Sequence, residues 1–169
     1  GSSDDSVAVA RAVSPRVEIL ANDANHGFCQ ANNLAIARAL ERGAHYIALL
    51  NNDTYVQPDW IDRLVEVGEQ AGDVGILGPA QLVFDGEAFN SWMTTALTPE
   101  QLEKLRAEAR PGYWLPVEWV EGSAFLVKRS VFEAIGLLDP IFFAFFEECD
   151  FCRRARVAGF QVAIVPASK

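Results

Sequence analysis

At 169 residues, half of them hydrophobic, the chain is of a size for one globular domain with a substantial core. Fourteen Lys and Arg against 23 Asp and Glu leave a net charge of −9. That balance argues against a nucleic-acid partner, whose binding rests on cationic contacts, and means that a nucleotide ligand needs a metal to help neutralise it. The longest apolar runs, such as IFFAFF at 141–146, are too short to span a bilayer, and no signal peptide is visible, so the chain reads as soluble.

The chain opens on GSSDDS without an initiator Met, either a cloning scar or the tail of a loop from a longer protein. VEILA at 17–21 alternates and carries β-branched residues, which predicts a strand. NDANHGFCQANN at 22–33 reads as a Gly- and Asn-rich turn. LAIARALERGA at 34–44 follows as a helix, with Leu34, Ile36, Ala37, Leu40 and Ala44 at helical spacing and Gly43 at its stop. YIALL at 46–50 is an unbroken apolar strand, and a helix from Pro58 to Gln70 turns Ile61, Leu64, Val65 and Val67 inward. Strand, turn, helix, strand, helix predicts an α/β fold with a Rossmann-like, mostly parallel sheet. Short, fully apolar strands agree, because such a sheet is covered on both faces.

VGILGP at 74–79 is a further strand, and AQLVF at 80–84 continues it as an edge or ribbon. Residues 85–117 read as a variable insertion or lid with one clear helix, TPEQLEKLRAEAR, in which Thr98 caps, Pro99 suits the first turn and Gln101 completes a capping box. Trp92, Tyr113 and Trp114 in that region either pack or offer a sugar platform. A strand over 119–127 leads to a short helix capped by Ser130, with Glu133 three residues on. EECDFCRRARVAGF then forms a helix with acids first and Arg153, Arg154 and Arg156 last, the order favoured by the helix dipole. Gly159 ends it, and FQVAIVPA is the final strand.

Two clusters carry the chemistry. Asn51, Asn52 and Asp53 follow YIALL, at the carboxyl end of a strand, where open α/β sheets bind ligands. Asp53 offers hard oxygen to Mg2+ or Mn2+ and the amides can bond a ribose; the same trio also suits a plain cap for the next helix. Glu147, Glu148 and Asp150 place three carboxylates within four positions, an array that repels itself unless a dipole, a cation or a function compensates. The preceding aromatic wall raises the pKa of the least solvated acid, as a general base requires, whereas a solvated acidic first turn is the bland alternative. The turn from Asn25 to Asn33 is a weaker signal, which either cradles a ligand or simply turns. Neither a G-x-G-x-x-G, a Walker lysine nor a G-x-S-x-G elbow is present, and His26 and His45 lack partners at ligand spacing. Cys29, Cys149 and Cys152 fit a reducing compartment. C149-D-F-C152 reads better as two thiols facing partly inward than as a redox or zinc half-site.

In their order, these pieces resemble the family 2 glycosyltransferases of the GT-A fold, in the rhamnosyltransferase-like branch. GSSDDS resembles the end of the family's D-N-x-S-x-D-x-S loop and NHGFCQANN its N-x-G-x-x-x-x-N turn. LLNNDTYVQPDW resembles the strand with the DxD-type motif, and the stretch from VEGSAF to RVAGF resembles the acceptor-side strand, helix and E-[ED]-x-D segment. The resemblance implies an inverting, metal-dependent hexosyltransferase. Asp53 is its ligand for Mg2+ or Mn2+, Asn51 and Asn52 lie in the same motif, and Asn25, Gly27, Asn33, Gly122 and Ser123 line the nucleotide-sugar pocket. Glu148 is the catalytic base, with Glu147 beside it and Asp150 in support. Asn at 51 leaves Asp53 as the only carboxylate of that motif.

It further implies a dTDP-rhamnose or UDP-sugar donor and a glycan or lipid-linked acceptor of cell-wall or polysaccharide synthesis. The full-length enzyme is expected in the cytoplasm, at the inner face of the membrane as a peripheral protein. The family pattern also begins with a strand-helix-strand and continues past VPASK, so the sequence is expected to be a partial catalytic domain, weakly active alone. The rival reading is an inert nucleotide-sugar or glycan-binding module of the same fold.

Overall fold

Five short strands, β1 (Tyr46–Leu50), β2 (Val74–Pro79), β3 (Leu115–Val117), β4 (Ala124–Lys128) and β5 (Gln161–Val165), form one sheet in the order β1-β4-β2-β5-β3. The computed structural model describes residues 1–84 and 86–169; position 85, the first of the predicted insertion, lies outside the described residues. The helices described are α1 (Ser6–Val13), α2 (Gly27–Glu41), α3 (Trp60–Gln70), α4 (Ser91–Ala96), α5 (Pro99–Ala107), α6 (Arg129–Ile135) and α7 (Glu147–Val157).

The predicted covering of both sheet faces is present, and residue alternation sorts the side chains. Ile47, Leu49, Phe125, Val127, Val162 and Ile164 enter one core with Cys29 and Ile36 of α2, Val131 and Phe132 of α6, and Phe151, Cys152 and Ala155 of α7. Ala124, Leu126, Ala163 and Val165 enter the other, under Trp60, Leu64 and Val67 of α3. An irregularity between Val74 and Ile76 in the β2–β5 pairing sends Val74 to the second core and Ile76 to the first.

The sheet is mixed rather than mostly parallel. β4 pairs antiparallel with both β1 and β2, β3 pairs antiparallel with β5, and the β2–β5 pairing is the parallel one. The alternating rhythm does give β1, β2 and β5 a common direction. It cannot show that β4 enters between β1 and β2, because that choice is made by contacts across about 50 to 80 residues of chain rather than by local pattern.

Other boundaries also differ. Residues 17–21 form no strand. Glu18 is tied instead to α2 by ion pairs with Arg42 at 2.7 Å and Arg38 at 3.2 Å, so alternation without a pairing strand does not suffice. α1 was not predicted and buries none of its residues. α2 begins at Gly27, inside the predicted turn, where Gly27 takes a left-handed φ of 78° and packs against the Phe143 carbonyl. β4 starts at Ala124 rather than 119, and α6 is capped without Ser130, its Arg129 pairing with Glu133 at 2.6 Å instead. α5 carries the predicted Thr98–Gln101 capping box. AQLVF contributes one bridge, Leu82 to Phe89. Trp92 and Trp114 pack against the two cores, as the packing reading has it. In α3, Leu64 and Val67 are buried as predicted and Val65 is half-buried, but Ile61 is exposed, and Trp60, for which no facing was predicted, is buried.

Candidate functional site

The β1–β4 ladder is what joins the two predicted clusters. Its last register pair is Leu50 with Ala124, and the next rung continues it, the Asn51 amide donating to the Ser123 carbonyl at 2.8 Å. Asn51 therefore lies opposite Ser123, and the turn bearing Asn52 and Asp53 leaves the sheet beside Gly122 and Ser123. Val120 is seated directly over Gly78 of β2, where a Cβ would come within 2.8 Å of it, so the strand approach to Gly122 depends on a residue without a side chain.

Gly122 in turn covers the start of α7. A Cβ built there would stand 3.6 Å from Glu147 Oε1 and 3.8 Å from Glu148 Cβ and Cδ. Two regions nearly a hundred residues apart in sequence thus meet across one Gly-Ser step. A cavity of about 620 Å³ opens beside Ser123, lined by Asp53, Thr54, Gln81, Asn90 and Glu121 among others; Gly122, Glu147 and Glu148 are not among its lining residues.

The carboxylates at the α7 start are poorly solvated. Glu147 is 5 % exposed, and neither its Oε2 nor that of Glu148, both buried, meets a hydrogen-bond partner among the described residues. Burial pushes the Glu148 carboxyl above its usual range, and the neighbouring Glu147 and Glu121 charges push the same way, against hydrogen bonding from the backbone at Glu148 and Cys149. Buried polar atoms normally find partners, and acids left without them are a recurrent mark of sites that handle a ligand. The chain reaches α7 through a strained approach: Phe145 and Phe146 take φ of 72° and 68°, a region that side chains with a Cβ enter at a cost of about 1–2 kcal/mol each. Both rings are exposed, at 79 % and 69 %.

The third acid stands apart. Asp150 accepts from Arg154 Nε at 2.7 Å, and Arg154 also donates to the Ile135 and Leu137 carbonyls, so this pair joins α7 to the end of α6. The predicted turn residues are occupied likewise. Asn25 Oδ1 accepts from the Gly27 amide at 2.9 Å. Asn33 clamps Leu138 from both ends of its amide, donating to the carbonyl at 2.8 Å and accepting from the N–H at 3.1 Å. Asn25, Gly27 and Asn33 do not line the 620 Å³ cavity; they fix the loop that precedes Phe145.

Three residues in the cavity wall escape a reading by local pattern. Ser123 Oγ donates to Gln81 Oε1 at 3.0 Å, and Asn90 Nδ2 donates to Gln81 Oε1 at 3.1 Å and to Glu121 Oε2 at 2.9 Å, while Asn90 Oδ1 caps α4. An Asn before S-W-M was the one available signal, as a helix cap.

Asp53 is exposed in the same wall, and among the described residues no group of three or more His, Cys, Asp or Glu is placed to hold a metal. Mg2+ is commonly held by one or two carboxylates together with substrate phosphates. Asp53 therefore fits an ion that arrives with a diphosphate and does not fit a cage made by protein alone. Cys149 and Cys152 are free thiols, the second fully buried and pushed by that burial up to about 12, which agrees with inward-facing thiols.

Residues 1–136 match the family model described as glycosyl transferase family 2. A low-salt glycan biosynthesis hexosyltransferase of Haloferax volcanii is 33% identical over 136 residues, covering 78% of this chain and 44% of that protein. An N-acetylglucosaminyl-diphospho-decaprenol L-rhamnosyltransferase of Mycobacterium tuberculosis is 27% identical over 201 residues, covering 100% of this chain, α7 included, and 62% of that protein. The chain thus spans about half the length of these curated relatives. Among solved structures, GalNAc-T7 with UDP, GalNAc and Mn2+ superposes with a TM-score of 0.71 at 18% identity, over 98% of this chain and 34% of that one, a likeness of fold.

Proposed function

The chain belongs to glycosyltransferase family 2, and from that premise we propose that its protein transfers a sugar from a nucleotide-sugar donor, dTDP-rhamnose or a UDP-sugar, to a glycan or lipid-linked acceptor with inversion. The carrying observation is the Gly122–Ser123 step, which sets the α7 carboxylates of Glu147 and Glu148, each with one buried oxygen that lacks a partner, next to the Asp53 turn. The names of the mycobacterial relative and of a dTDP-rhamnosyl transferase of Shigella flexneri, 24% identical over 156 residues, support a rhamnosyl donor.

Glu148 acts as general base. Its carboxylate takes the proton of an acceptor hydroxyl while that oxygen attacks the anomeric carbon from the face opposite the leaving group; the bond to the diphosphate oxygen breaks, and its electron pair leaves with the diphosphate. A base poised above the usual carboxylate range matches its proton-transfer task better than a solvated acid, and the partial desolvation of Glu148 by Gly122 provides that. Glu147, less exposed still, holds the first turn against Gly122. Gln81 and Asn90 orient Ser123 and Glu121 along the cavity wall and so shape the place where donor and acceptor meet. Asp53, with the donor's own phosphates, would hold Mg2+ or Mn2+, which when bound neutralises charge on the departing diphosphate.

The test uses the full-length protein. Thermal-shift titration with dTDP-rhamnose and UDP-sugars, with and without Mn2+, finds the donor, because a ligand of the native state raises Tm. Transfer from that donor to a glycan or lipid-linked acceptor, with inverted product configuration, is the expected result. Donor binding without transfer to any acceptor supports the inert binding module instead.

A further inference from the structure

A second cavity, of about 560 Å³, opens on the flank of α7 and is lined by Glu118, Trp119, Cys149, Arg153, Arg156 and Val157. It shares no lining residue with the cavity over Asp53. Cys149, Arg153 and Arg156 recur at helical spacing along one stripe of α7, and that stripe begins at the residue after Glu148. At 1.5 Å rise per residue, Arg153 and Arg156 stand about 7.5 and 12 Å along the axis from Glu148. Long side chains on a helix lean toward its N-terminus, here toward the Glu148 end.

The charges are placed unusually for a chain of net charge −9. Arg154 is fully committed to Asp150 and to two carbonyls. Arg153, by contrast, makes no ion pair among the described residues. Arg156 holds Glu118 loosely, Nη1 donating to its carbonyl at 3.4 Å and Nη2 standing 3.8 Å from its carboxylate, and that carboxylate, the one acid in the lining, has an 80 % exposed side chain. An exposed pair at that distance holds little. The Cys149 thiol, pushed by burial up to about 11, adds no negative charge near neutrality. Two guanidinium groups beside an indole wall are suited to a phosphate, which their planar forks bind in two-pronged fashion.

Resting on the transferase reading above, we infer that this cavity binds the phosphate or diphosphate of the acceptor. The acceptor is then a phosphate-linked glycoside, its sugar hydroxyl at Glu148 and its phosphate against Arg153 and Arg156, on the side of α7 away from the donor's own diphosphate. A neutral glycan would leave Arg153 without an ion pair and Arg156 with only its long contacts to Glu118.

Calorimetric titration of the full-length protein tests this with two probes, octyl N-acetylglucosaminyl diphosphate and the matching neutral octyl N-acetylglucosaminide, each in EDTA so that no metal-dependent diphosphate site competes. A separate arm measures dTDP and UDP with Mn2+. The wild-type protein is expected to bind the diphosphate at least about tenfold tighter than the glycoside, one charge-assisted contact being worth roughly that factor. R153Q/R156Q should bring the two probes within about twofold of each other, R153K/R156K should keep part of the difference, and nucleotide affinity should stay the same in both variants. Equal binding of the two probes by the wild-type protein, or an undiminished preference in R153Q/R156Q, overturns the inference. Nucleotide bound in the third arm with either of those results leaves the transferase reading standing; no nucleotide bound at all removes that reading, and the inference with it.

Discussion

The start of α7 and the exit of β1 flank the same Gly-Ser step, yet they are built in opposite ways. At α7 Glu147 is buried and Glu148 half-buried, one oxygen of each lacks a partner, and the approach runs through two left-handed phenylalanines. At β1 the backbone of Asn51 is bonded into the ladder and Asp53 stands exposed in the cavity wall. The difference teaches which end is prepared in advance. A proton acceptor must already be tuned when its substrate arrives, so the protein bears the cost of desolvation and strain there. A metal-diphosphate site completes itself when the ligand brings its own charge, and one exposed carboxylate is enough.

The largest effect that can break this contrast is on turnover. Glu148→Gln in the full-length protein should lower kcat about 10²–10⁴-fold, the usual worth of a general base, while donor affinity stays within about twofold by calorimetry. Asp53→Asn should behave in the opposite sense: donor affinity in Mn2+ should fall about tenfold or more, whereas affinity in EDTA, already weak, should hardly change. If both variants lost binding and turnover in the same proportion, the two ends would be one undivided site. The smallest effect concerns strain. Phe146→Gly removes a left-handed position held by a residue with a Cβ, so it should stabilise the fold by about 1 kcal/mol at most in denaturant titration, and slow transfer by loosening the entry to Glu148. A destabilised Phe146→Gly protein would show that ring contacts, not backbone strain, dominate there.

What the sequence disclosed follows from how local each signal is. Asp53 at a strand end and Glu148 at a helix start are marked by their immediate neighbours, an apolar run before each, and both are found where the pattern puts them. The same holds for the Thr98–Gln101 box and for the Gln70, Leu50 and Pro79 ends of their elements. Gln81, Asn90 and Glu121 were not legible because their bonds join residues 9 to 42 positions apart or link a cap to a strand loop. The antiparallel entry of β4 between β1 and β2 was hidden for the same reason. VEILA shows the converse: a good local pattern that the fold uses as an ion-paired segment without regular structure, because no strand pairs with it among the described residues. Asn25, Gly27 and Asn33 were legible as a constellation, and the structure gives their bonds to the α2 start and to Leu138.

The central claim is that burial under Gly122 makes Glu148 the base, and its pH signature follows from the direction of that shift. With the folded-state pKa raised, the proton is held more tightly in the native protein, so the acid contributes stability below the ordinary Glu value of about 4.3 that is lost as pH rises through the raised pKa. Only above that raised value is the base ionised and ready. The deciding measurement is the pH dependence of kcat/KM for transfer by the full-length wild-type protein, paired with the Tm of wild type and Glu148→Gln across the same range. The account predicts an acid limb with an apparent pKa clearly above 4.3, and a Glu148→Gln protein that gains Tm over wild type at pH 7 but not at pH 4. An acid limb at or below the ordinary Glu value, with no pH-dependent difference in Tm, would contradict it.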